Sequence, residues 1–104
     1  MAEPTDKRSE IEVQHRHDLA RALDQFNAAD VRELSRRFGP GTRGMHELWD
    51  RLHVLNDNWH DFVVEHPACL LDPELYEEAS RIGELIGRLY QRAGQMDTGA
   101  STRA

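Results

Sequence analysis

A chain of 104 residues has room for one small hydrophobic core, which excludes architectures with several domains. With 38% hydrophobic and 31% charged residues it holds too much apolar matter for a disordered chain, and no apolar run reaches the roughly 18 residues of a membrane span. The net charge of −6 is unevenly spread: eight acids balance eight Lys and Arg over residues 1–44, whereas residues 45–78 carry nine acids against Arg51 alone, a field that repels a phosphate backbone. The stretch MAEPTDKRSE lacks the apolar centre of a signal peptide, and the single cysteine, Cys69, has no partner for an internal disulfide. The expected compartment is the cytoplasm, with neither a membrane nor a nucleic acid as partner.

In chain order, Ser9 and Glu12 have the S-x-x-E spacing of a capping box, so a first helix is expected to begin between Thr5 and Ser9 and to run to about Ala28. Its apolar face would carry Ile11, His15, Leu19, Ala22, Leu23 and Phe26. Asp30, with Glu33 three residues on, reads as the N-cap of a second helix of about two turns that holds Val31, Leu34 and Phe38 and stops at Gly39. The link GPGTRG, Gly39 to Gly44, is a turn. A third helix is expected from about Met45 to His66, because Met45, Leu48, Trp49, Leu52, Leu55, Trp59, Phe62 and Val63 recur at helical spacing and Pro67 forbids much extension. After PACLL, Asp72 as N-cap and Pro73 at the first helical position open a fourth helix to about Ala93, with Gly94 just beyond it. Its seam is Leu75, Ala79, Ile82, Ile86, Leu89 and Ala93. No segment reads as a strand. The expected fold is all-α, a small antiparallel bundle of three long helices and one short one over residues 9–94, between flexible tails at 1–8 and 95–104.

The third helix raises the sharpest functional question. His46, Asp50, His53, Asp57 and His60 alternate imidazole and carboxylate at spacings of three and four, and a His and an Asp at i, i+4 suit zinc or iron. A transition metal on this stripe is therefore one alternative. However, His46, Asp50, His53 and Asp57 project about 120–180° from the apolar centre near Leu52 and Trp59, with His60 about 100° round, and one helix supplies only two ligands at a given height. A solvated face with His–Asp pairs is the plainer expectation. His15 and His66 fall on apolar faces and read as satisfied core or boundary histidines, the first partnered by Asp18 and the second by carbonyls at the end of its helix, with a role in metal binding or pH sensing as the alternative.

The remaining constellations are weaker. GPGTRG formally contains G-x-G-x-x-G, but that pattern cradles phosphate only after a strand. A helix-turn-helix would need basic residues on a third helix that is acidic. Cys69 reads as a small apolar filler with Leu70 and Leu71, and ELYEEAS lacks the histidine of a di-iron E-x-x-H motif. On the fourth helix, Ala79, Gly83 and Gly87 stand four apart between Tyr76 and Tyr90, and two interior glycines need a reason, since each costs about 1 kcal/mol against alanine. Small residues at this spacing admit a second helix closely, so Tyr76, Ala79, Gly83, Gly87 and Tyr90 are the candidate partner-binding residues, with a protein partner and a homo-oligomer expected through this helix. The expected function is a regulatory or accessory interaction module without catalysis of its own. A metal-binding bundle, or a small helical enzyme with a site between subunits, is the alternative.

Overall fold

A computed structural model describes the backbone of residues 4–102 and the side chains of residues 7–97. It is all-helical, 87% helix with no strand among the described residues, as the periodicities require. The elements are α1 (Pro4–Gln25), α2 (Val31–Phe38), α3 (Arg43–Asn58) continued by a π-helical turn (Trp59–Val64), α4 (Pro67–Leu71) and α5 (Pro73–Thr102). Helix therefore extends into both expected tails, whose outermost residues, 1–3 and 103–104, lie outside the described residues. The chain divides into two compact units, one up to Arg36 and one from Arg37 onward.

In the first unit α1 opens at Pro4, before the Ser9–Glu12 pair, which lies inside the helix. Proline suits a first helical position because its missing N–H would have no intrahelical partner there. The helix closes on Asn27 at φ 55°, with Ala28 N–H donating to the Leu23 carbonyl at 2.8 Å and Asn27 N–H to the Asp24 carbonyl at 3.2 Å. This is a Schellman ending, with asparagine accepting the left-handed position glycine usually takes. Asp30 caps the next helix as expected: its Oδ1 accepts the Glu33 N–H at 3.0 Å, while Glu33 Oε1 accepts the Ala29 N–H at 2.9 Å. His15 is exposed, a correction to its expected place in the core or at its boundary. Asp18 turns instead to Gln14 (2.9 Å) and Arg21 (3.9 Å). Leu19, Ala22 and Leu23 are only half-buried.

The second unit contains α3, α4 and α5. Thr42 caps α3, its Oγ1 accepting the Met45 N–H at 3.3 Å and donating to the Gly39 carbonyl at 2.6 Å, so the helix starts two residues before Met45. Gly41 supplies a positive φ of 79°, and a Cβ on Gly44 would collide with Phe38. The glycines of GPGTRG thus serve a turn and a close approach.

Contacts between α3 and α5 follow a consistent order. Trp59 lies against Ala79 and Gly83, Trp49 against Tyr90 and Gly94, and His46 against Asp97. The start of α3 meets the end of α5, and the end of α3 meets its start. Gly94 does not stop α5. A Cβ there would fall 2.7 Å from Trp49 Nε1, so the glycine makes room for an indole inside a helix that continues to Thr102.

Past Asn58, α3 widens. Glu65 N–H donates to the His60 carbonyl five residues back at 3.0 Å. A π turn advances about 80° per residue against about 100° in an α-helix, which places Val64 about 40° from Trp59 rather than about 140°. The same change carries Phe62 from about 60° to about 120° off the seam. Accordingly Val64 is buried at 5% exposure while Phe62 stands 68% exposed, a correction to the seam expected from uninterrupted α periodicity. Pro67, which has no N–H to donate to Val63, closes the turn and becomes the first residue of α4. The core is thin. Met45, Leu52, Val64, Cys69, Ala79 and Ala93 are its buried apolar residues, and no described side chain is fully sealed from solvent.

Candidate functional site

The π turn, α4 and the first half of α5 enclose an open apolar groove of about 350 Å³. Its construction starts from two short-range devices. His66 caps α4, its Nδ1 accepting the Ala68 N–H at 3.0 Å, and Asp72 caps α5, its Oδ1 accepting the N–H groups of Glu74 at 3.0 Å and Leu75 at 3.5 Å. These caps turn the chain twice within seven residues and set Cys69 and Ala79, each 7% exposed, at the base of the groove. Trp59, Phe62 and Val63 form one wall, and Leu75, Glu78 and Ile82 the other. His66 serves as a cap acceptor on an exposed residue, where the sequence suggested an apolar-face histidine donating to carbonyls.

The small-residue row is explained by the same wall. Trp59 Nε1–H donates to the Ala79 carbonyl at 2.8 Å, and its Cδ1 would lie 3.2 Å from a Cβ on Gly83. Gly83 therefore admits the indole of this chain's own α3, and Ala79 and Gly83 are buried beneath it. Tyr90 is engaged within the chain as well, stacked on Trp49 with ring centroids 5.9 Å apart and beside His53 at 5.7 Å. Of the five candidate partner-binding residues, Tyr76 is exposed, and Gly87 has nothing beyond the local backbone of α5 within 4 Å of where its Cβ would be. The other three hold α3.

His46, Asp50, His53, Asp57 and His60 are all exposed. The stripe pairs along itself only once, His53 Nε2 with Asp57 Oδ2 at 3.5 Å, whereas His46 Nδ1 reaches across to Asp97 Oδ2 at 3.1 Å. Among the described residues no three His, Cys, Asp or Glu side chains converge as a metal ion requires. His46, Trp49, Asp50, His53 and Tyr90 border a smaller hollow of about 170 Å³, where the Trp49–Tyr90 and His53–Tyr90 ring contacts tie α3 to α5.

Two features escape the local sequence pattern. Asp97 lay in an expected tail, 51 residues from His46, and nothing local announces the pair. Uninterrupted periodicity places Phe62 and Leu75 on core seams and so hides the groove, although the proline one residue after His66 signals that the end of α3 does not continue regularly. No family model, curated protein or solved structure matches the chain. No helix among the described residues is long and apolar enough to cross a membrane.

Proposed function

We propose that this chain is a small helical interaction module, regulatory or accessory in role and without catalysis of its own, which binds a protein partner through the groove between the π turn and α5. In this reading the helices assemble as an antiparallel bundle, and the unpaired Cys69 suits a reducing compartment such as the cytoplasm. One observation carries the reading. The groove is floored by buried small residues yet walled by large apolar side chains left in solvent, Phe62 at 68% and Leu75 at 49% exposure. An apolar cleft edged by uncovered aromatic and aliphatic side chains is a common form of protein-binding surface, because its occupant removes area from water that the free fold leaves wet.

The test is Phe62→Ser. Since most of the ring is already exposed, the substitution should leave the helical circular dichroism and the melting temperature nearly unchanged. It should also abolish partner association, or self-association, measured by sedimentation and titration. Association unaffected by Phe62→Ser and by Leu75→Ser would remove the groove from any binding role.

A further inference from the structure

We infer that the groove's occupant is a basic amphipathic helix of a partner protein, an inference that rests on the interaction reading above and adds the partner's chemistry to it. The first argument is shape. On α5 the lining residues Leu75, Glu78, Ala79 and Ile82 recur at i, i+3, i+4 and i+7, and Trp59, Phe62, Val63 and His66 line the opposite side. The seven-residue step from Leu75 to Ile82 along α5 rises about 10 Å, so the cleft is about two turns long and matches apolar anchors at i, i+3 or i+4, and i+7 of a further helix. An extended peptide would need free backbone donors and acceptors to pair with, and walls made of helix have spent theirs internally. Side chains are what this groove can receive. Its volume of about 350 Å³, bordered by buried Cys69 and Ala79, has room for a leucine or phenylalanine side chain.

The second argument is charge, and it is independent of the first. From Trp59 to Ile82 the chain carries Asp61, Glu65, Asp72, Glu74, Glu77 and Glu78, all exposed, against Arg81. Arg81 is already engaged, its Nη2 2.7 Å from Glu77 Oε2. Glu78 thus lines the cleft itself, and the segments that build it carry five further exposed carboxylates and no uncommitted Lys or Arg. Rim charges of one sign accelerate encounter with a partner of the other sign and reject partners of their own, while the apolar centre supplies the holding contact. The occupant this selects has leucine or phenylalanine along one face and lysine or arginine on its flanks.

The probe is a synthetic 18-residue helical peptide of leucine and lysine with one apolar face, titrated into the full chain and followed by fluorescence anisotropy. Its counterpart carries glutamate in place of lysine. Circular dichroism checks that every variant is folded. The leucine–lysine peptide should bind, more weakly as salt rises, and at least tenfold more weakly to Phe62→Ser. Glu74→Lys with Glu78→Lys should weaken it similarly, whereas Glu47→Lys with Asp50→Lys, away from the groove, should change binding less than twofold. Equal loss from both pairs of charge reversals would show attraction to overall acidity and overturn the inference. Equal binding of the two peptides would overturn the basic partner and leave the interaction reading standing. If neither peptide binds but the chain self-associates in a manner that Phe62→Ser disrupts, a second copy fills the groove and the inference falls alone. If neither binds and Phe62→Ser alters no association, both readings fall.

Discussion

Gly87→Ala and Gly94→Ala form a matched pair on α5, one with open space at the new methyl and one with an indole in its place. Both replace a glycine inside a helix, so both gain about 1 kcal/mol of helix propensity. At position 87 nothing beyond the local backbone of α5 lies within 4 Å of the added Cβ, and the gain should appear undiminished, raising stability by about 0.5–1 kcal/mol. At position 94 the Cβ would meet Trp49 Nε1 at 2.7 Å and Cε2 at 2.9 Å. A rigid indole stacked on Tyr90 cannot rotate a terminal group aside, so either the ring or α5 must move, at ~1–3 kcal/mol for overpacking. The expected net effect of Gly94→Ala is a loss of about 1 kcal/mol, and the difference between the two variants, about 2 kcal/mol, isolates the collision. Urea unfolding followed by tryptophan fluorescence measures it directly, because both tryptophans, Trp49 and Trp59, lie in the second unit. Equal stabilisation by the two substitutions would refute the placement of Trp49 on Gly94, and with it the pairing of the start of α3 with the end of α5.

Trp59→Phe, which deletes the donor to the Ala79 carbonyl while keeping an aromatic ring, should lower stability by about 1–2 kcal/mol in the same assay. Thr42→Ala should cost about 1 kcal/mol through loss of the α3 cap, with Thr42→Ser retaining most of it. His66→Ala should cost a similar amount, about 1 kcal/mol, with partial rescue by His66→Asn, since either side chain can accept the Ala68 N–H. His53→Ala combined with Asp57→Ala should leave the melting temperature within a few degrees of wild type, with or without chelator, because the pair is exposed. A chelator that destabilises only the wild-type chain would instead make that stripe a metal site.

Helix as the sole architecture, the caps at Asp30 and Asp72, and the position of the His–Asp stripe away from the apolar side are local properties of this sequence. Each depends on side chains within a few residues of one another, so periodicity and cap chemistry suffice to read them. The roles of the glycines are different in kind. Gly87 and Gly94 are the same residue in the same helix, and only the partner across α5 decides that one faces open space and the other an indole. The π turn likewise depends on where the seam must point: a regular helix would expose Val64 and bring Phe62 closer to the seam, and packing against α4 and α5 selects the opposite. The groove exists because of that selection. Local patterning determines which residues are apolar, but the rotation of one turn against its neighbours determines which of them stay in water.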